Sequence, residues 1–155
     1  MASQWLIPLF VANAFAVAFL VLALYRPNVA RMVAGGGFVA AALVNATFAA
    51  IAPQVYVKVF GPHALGPFKD LIYGVLAQAP GRFIFALALW QAGVGAVILL
   101  NKTEYVRLGC LAAAIFLVGI SPFGLACAFP SNLILVGGMV ALIRLKWPLE
   151  ARARM

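Results

Sequence analysis

The connection formed by residues 53–82 carries the side chains whose types could do chemistry. It holds five residues that together supply both acids and bases: His63, Lys69, Asp70, Tyr73 and Arg82. A pocket with a few convergent groups of this kind could bind a polar headgroup or the carbonyl oxygen of a quinone. The alternative, which we favour, is that they are solvated loop and interface residues without a ligand.

Three amide side chains lie inside strongly apolar stretches: Asn13, Asn45 and Gln91. Polar residues within membrane spans usually indicate function, but an amide cannot ionise. An amide can also hydrogen-bond across two helices, which stabilises their packing by about 0.6 to 2 kcal/mol. We favour this structural interpretation, because Ala42, Ala46 and Ala50 form a ladder of small residues on the stretch that contains Asn45.

The chain lacks the residue sets of metal centres and of thiol chemistry. It has one His and two Cys, with no Cys-x-x-Cys pair. We therefore predict no metal site, no cofactor and no catalytic residue. A proton pump or ion-coupled transporter is disfavoured as well, because we expect no ionisable residue in the middle of any span.

Composition shows which kind of protein must position these side chains. Of the 155 residues, 66% are hydrophobic and 9% are charged. A soluble domain is about 25% charged, so this chain cannot cover a surface that faces water. In a soluble protein, a net charge of +8 would indicate nucleic-acid binding. Here the charges lie between apolar stretches, which indicates membrane topology and no nucleic-acid binding.

The apolar stretches predict one all-α transmembrane domain over residues 1–155, an integral membrane helical bundle of five transmembrane helices. A bilayer core about 30 Å thick requires about 20 helical residues. The uncharged run from Leu108 to Ile143 is therefore too long for one crossing, and we divide it near Pro130; four helices are the alternative. The predicted spans are residues 5–25, 33–52, 83–100, 108–128 and 131–147.

The distribution of Lys and Arg predicts the orientation. Five spans put eight of these residues on one side of the membrane and three on the other. Because cytoplasmic loops carry the excess of positive charge, the N-terminus is expected outside and the C-terminus in the cytoplasm. We expect a multi-pass protein of the cell membrane, the cytoplasmic or inner membrane of a bacterium, with membrane lipids as contacts of its basic tail.

The connection 53–82 is expected on the outer side. Its first part, from Pro53 to Pro62, is punctuated by Pro and Gly and should be irregular or briefly extended. Over residues 67–79, apolar side chains recur at helical spacing: Phe68, Leu71, Ile72, Val75, Leu76 and Ala79. This spacing predicts an amphipathic helix that lies in the interface or caps the bundle.

Glycines and prolines form a pattern in the second half of the chain. The Gly-containing apolar stretch from Trp90 to Leu100 leads through a short basic turn into the next span, and Phe129-Pro130-Ser131-Asn132 precedes the last. This pattern resembles the DoxX-like family of small polytopic membrane proteins over roughly residues 33–147. Gln91 departs from the acidic residue of the family stretch, and the span 5–25 is additional. The resemblance implies a helical bundle associated with membrane redox partners, and it assigns no catalytic residue.

Three functions remain open at this stage. We favour a non-catalytic accessory or structural subunit of a membrane complex, in which redox subunits or further copies of this chain are the partners. Five short spans with almost no mass outside the membrane suit that role. The first alternative is a quinone- or lipid-binding membrane enzyme with a site under the amphipathic helix, and quinone or lipid is then its ligand. The second alternative is a small-solute transporter.

Overall fold

The computed structural model describes residues 3–127 and 129–147, and it is helical almost throughout. In that part of the chain there are seven α-helices: α1 (Ser3–Tyr25), α2 (Pro27–Ile51), α3 (Gln54–Phe60), α4 (Pro67–Asp70), α5 (Pro80–Leu99), α6 (Thr103–Ile120) and α7 (Ser131–Ile143). The described residues form no strand, so the predicted all-α fold is confirmed. Residue 128 of the fourth predicted span lies outside the described residues, as do Arg152 and Arg154 of the predicted tail.

Four helices are long and apolar enough to cross a membrane, namely α1, α2, α5, and α6 together with the turn after it. The break in the last uncharged run is confirmed, because α6 ends at Ile120 and α7 begins at Ser131. Helix α7 is apolar but has 13 residues, which is about 20 Å at the rise of an α-helix. A fifth crossing therefore stays a prediction.

The five longest helices form a ring in the order α1, α2, α5, α6, α7, since α7 packs against both α6 and α1. The most extensive contact joins α2 to α5, where Gly35 and Gly95 face each other. A Cβ atom on Gly95 would lie 2.7 Å from the Gly35 carbonyl oxygen and 3.0 Å from the Val39 nitrogen. Glycine is therefore required at this crossing, as in other membrane helix pairs with small residues at the interface.

The two ends of the bundle differ in charge. We call the basic end the one at which α1, α5 and α7 finish, because six described basic residues lie there: Arg26, Arg31, Lys102, Arg107, Arg144 and Lys146. We call the opposite end, with residues 53–79 and 121–124, the loop end. At the loop end, the Leu65 nitrogen donates to the Pro122 carbonyl oxygen at 3.0 Å. This bond fastens the connection to the turn after α6.

One basic residue, Arg31, is buried inside the bundle, whereas the sequence predicted it to lie in the connection before the second span. Helix α2 begins at Pro27 rather than at residue 33, and Arg31 is 8% exposed. Its Nη1 donates to the carbonyl oxygens of Ile98 and Leu99 at 3.1 and 2.9 Å, and its guanidinium lies 5.5 Å from the centre of the Trp147 ring. The last carbonyls of α5 lack partners within the helix and carry the negative end of its dipole, so they stabilise a cation.

The crossing of α2 and α5 can be tested with a pair of glycine substitutions in one helix. We expect Gly95→Ala to lower the free energy of unfolding by about 1 to 3 kcal/mol, because the added Cβ must push α2 away. Gly93→Ala is the control, since no atom lies within 4 Å of its added Cβ, and it should be neutral or slightly stabilising. Denaturation in mixed micelles, followed by circular dichroism, measures both. Equal effects of the two substitutions would contradict the close crossing.

The contact of Arg31 with the end of α5 predicts a second difference. Arg31→Met should lower the free energy of unfolding by about 2 kcal/mol, because charged hydrogen bonds to two carbonyls are lost. Arg26→Met removes the same charge from an exposed position and should change stability by less than about 0.5 kcal/mol. The same denaturation assay compares them. If Arg26→Met lowers the free energy of unfolding by as much, stability depends on the positive charge at the basic end and not on the Arg31 contact.

Candidate functional site

A half-open cavity of about 390 Å³ lies at the loop end, beneath the amphipathic segment. That segment is helical from Pro67 to Gln78, close to the predicted 67–79, but its pitch changes from α to π to 3-10 along its length. As a result Ile72 is buried while Leu71 and Val75 are each 47% exposed. The predicted apolar face is therefore divided: Phe68, Ile72, Leu76 and Ala79 are at least partly buried, and the other two members are exposed.

A short helix supplies another wall of the cavity, at a place where the sequence predicted irregular or extended chain. The prediction for Pro53 to Pro62 is wrong, because α3 occupies Gln54–Phe60. Pro53 has a φ of −62°, a value that suits the start of a helix. The helix places Tyr56 and Phe60 on one face, and both line the cavity. Their i, i+4 spacing was the sequence signal for this helix.

The described residues that line the cavity are mostly apolar, and none of them is charged. Five are aromatic and come from α3, α5, α6 and the turn after α6: Tyr56, Phe60, Phe83, Phe116 and Phe123. Three side chains, Asn45, Tyr56 and Gln91, supply all the polar groups of this described lining. An apolar cavity with a few convergent polar groups is the usual form of a small-molecule site.

The three polar side chains form a chain of hydrogen bonds across α3, α2 and α5. The Tyr56 hydroxyl donates to Asn45 Oδ1, and Asn45 Nδ2 donates to Gln91 Oε1 at 2.6 Å. Gln91 is 4% exposed, and its Nε2 donates to no atom among the described residues. Among the described residues, the fully buried polar atoms without a partner are Arg31 Nε and Asn101 Oδ1, so the Gln91 amide nitrogen keeps some contact with the space around it. The arrangement therefore offers the amide NH₂ group of Gln91 to a ligand in the cavity as a hydrogen-bond donor.

The five charged and polar residues singled out in the connection lie away from this lining. Lys69, Asp70, Tyr73 and Arg82 are exposed, and His63 is half-buried. The carbonyl oxygen of His63 lies against Gly124, where an added Cβ would approach it to 2.7 Å. The structure does not bring these five residues together around the cavity, and ligand binding by them stays a prediction.

The three amides differ in their partners. Asn45 and Gln91 bond to each other between α2 and α5, whereas Asn13 Nδ2 donates to the Leu9 carbonyl oxygen of its own helix at 2.8 Å. Within the described ranges, no three His, Cys, Asp or Glu side chains come close enough to hold a metal ion. The amide pair and Tyr56 are thus the polar centre of the candidate site.

Tyr56 lies outside the spans, and its protonation can be measured directly. Burial raises its pKa above the ordinary value of 10.0, so the hydroxyl keeps its proton, and can donate to Asn45, up to that pH. The stabilisation it contributes is present below pH 10.0 and is lost as the pH rises through the raised pKa. Absorbance titration of the unchanged protein and of Tyr56→Phe should differ by one tyrosinate that forms above pH 10.0. If the tyrosinate signal that is absent from Tyr56→Phe forms at or below pH 10.0 in the unchanged protein, the hydroxyl is not buried as described.

Comparison of the chain with protein-family models, with characterised proteins and with solved structures finds no match. The resemblance to the DoxX-like family therefore stays a prediction that rests on the residues quoted above. The function must accordingly be argued from the cavity and its hydrogen bonds.

Proposed function

We propose that the protein binds a neutral, carbonyl-bearing membrane lipid, of the quinone or ester type, in the cavity at the loop end. The observation that carries this proposal is the unused donor of Gln91 in the wall of an uncharged, largely apolar cavity. A carbonyl oxygen of the ligand would accept a hydrogen bond from Gln91 Nε2. The bond replaces the water that both groups lose when the ligand enters.

The lining favours a neutral ligand over an ionic one. Moving a charged group into an apolar cavity is strongly unfavourable unless an opposite charge meets it, and none of the described lining residues is charged. The aromatic walls suit a planar ring, which can stack or pack edge to face against them. A volume of about 390 Å³ lies within the range of small-molecule sites, about 300 to 1,000 Å³.

The polar groups of the cavity support binding rather than acid–base catalysis. Asn45 and Gln91 do not ionise, and Tyr56, whose ordinary pKa of 10.0 is raised further by burial, is protonated at neutral pH. We therefore propose a binding protein and assign no catalytic residue. An accessory subunit and a solute transporter stay predictions that no contact in the described residues favours.

We further propose that the loop end lies at the outer side of the cell membrane, with five crossings. Antiparallel contacts support the fifth: Arg107 Nε donates to the Ile143 carbonyl oxygen at 3.0 Å, and Thr103 Oγ1 to that of Trp147 at 2.9 Å. Through these two bonds the chain from α7 to Trp147 extends as far as the first turn of α6. The excess of Lys and Arg at the basic end supports a cytoplasmic location for that end.

The unused donor gives a direct test of binding. The protein in lipid nanodiscs is titrated with menadione, a quinone ring without a chain, and quenching of tryptophan fluorescence is followed, since the Trp90 ring lies 5.2 Å from that of Phe116 in the lining. Dioctanoylglycerol, tested as a competitor, distinguishes an ester ligand from a quinone. Gln91→Leu should weaken binding about tenfold, the loss expected for one hydrogen bond.

Asn13→Leu is the matched control, because it removes an amide that is bonded within its own helix. We expect it to leave the affinity unchanged. Circular dichroism verifies that both variants fold. The proposal is wrong if neither compound binds the unchanged protein, or if Gln91→Leu binds both compounds as tightly as the unchanged protein.

A further inference from the structure

A second cavity, of about 240 Å³, lies at the centre of the helix ring. Residues from α1, α2, α5, α6 and α7 all contribute to its wall, and Gln91 is the single polar residue among those described in its lining. Such a cavity lies at the level of the membrane spans rather than at their ends. Its apolar wall offers water little, so hydrocarbon is the occupant that its chemistry fits.

The central cavity adjoins the cavity at the loop end. Gln91 and Phe116 line both, so these two side chains form the partition between them. The Phe116 ring packs against Trp90 at 5.2 Å and against Phe38 at 6.1 Å between ring centres. A molecule that occupies both cavities would therefore lie against Phe116 and Gln91.

The lining of the central cavity extends to exposed residues at the seam between α1 and α2. Contact between these two helices is the least extensive in the ring. At this seam Phe15 lines the cavity and is 55% exposed, and Gly37 lines it with no atom within 4 Å of an added Cβ. An apolar chain could enter here from the membrane without crossing a polar surface.

We infer that the central cavity holds the apolar chain of the lipid whose carbonyl group bonds to Gln91. This inference rests on the proposed function and adds the position and class of the chain: an isoprenoid or acyl tail that enters between α1 and α2. The head of the ligand occupies the loop-end cavity, and the tail continues towards the middle of the membrane. The amide that lines both cavities is where the polar and apolar parts of such a molecule meet.

Adjacent glycines in α2 provide the test. Gly36 and Gly37 are both exposed, and neither has an atom within 4 Å of an added Cβ, but only Gly37 is part of the described lining of the central cavity. Gly37→Ala, Gly37→Val and Gly37→Leu fill the cavity by increasing amounts, so the smaller changes remain informative if the largest prevents folding. Gly36→Leu makes the same change in helix propensity at a neighbouring position.

The probes are menadione and the same ring carrying a geranylgeranyl chain, titrated in nanodiscs. In the unchanged protein the chain should strengthen binding at least tenfold. That advantage should shrink stepwise through the Gly37 series and vanish in Gly37→Leu, while menadione binds all variants alike. Gly36→Leu should keep the full advantage of the chain.

The outcomes separate this inference from the proposed function. If menadione binds and the chain keeps its advantage in Gly37→Leu, the tail lies elsewhere and only the inference is overturned. Equal losses in Gly37→Leu and Gly36→Leu would also overturn it, because they would report a change in α2 as a whole. If neither probe binds the unchanged protein, the proposed function fails and the inference fails with it.

Discussion

The close approach of α2 and α5 at Gly35 and Gly95 is the constraint on which the rest of the structure depends. One helical turn from this crossing, towards the basic end, Arg31 reaches the last carbonyls of α5. On the other side of the crossing, Asn45 of α2 meets Gln91 of α5. The small residues at the crossing hold the two backbones close together, and both polar contacts are made at this separation. Because Gly35 and Gly95 have no side chains, α2 and α5 lie close enough to place both Arg31 and the amide pair in their contacts.

The loop end closes the cavity with short elements that stabilise one another. Helix α3 is bonded to α2 through Tyr56 and Asn45, and the Leu65 nitrogen donates to the carbonyl oxygen of Pro122. The turn after α6 fits against His63 because Gly124, with a φ of 69°, has no side chain there. A left-handed backbone of this kind is readily adopted by glycine. The loop end of the bundle is therefore held together by several single contacts between distant parts of the chain.

The sequence predicted best those features that depend on the residues of a single helix. Apolar length predicted α1, α2, α5 and the break before α7, and the period of the amphipathic segment predicted its helix. It failed for Arg31, because a charge in a helix can be buried when the carbonyl end of another helix, 67 residues away, meets it. The sequence did place an alternative binding site under the amphipathic helix, but it missed the side chains that line the cavity, since the aromatic wall is assembled from four separate elements. The five charged and polar residues of the connection 53–82 were singled out by residue type alone, and in the structure four of them are exposed and none lines the cavity.

The uncharged lining has a consequence for the conditions under which the site can be filled. A neutral ligand that enters an uncharged cavity carries no charge through the membrane field, so the transmembrane voltage does no electrical work on the binding step. The buried cation, Arg31, lies at the opposite end of the bundle from the proposed headgroup site and is held by the carbonyls of α5. Occupancy of the cavity should therefore follow the amount of ligand dissolved in the bilayer, in energised and de-energised membranes alike.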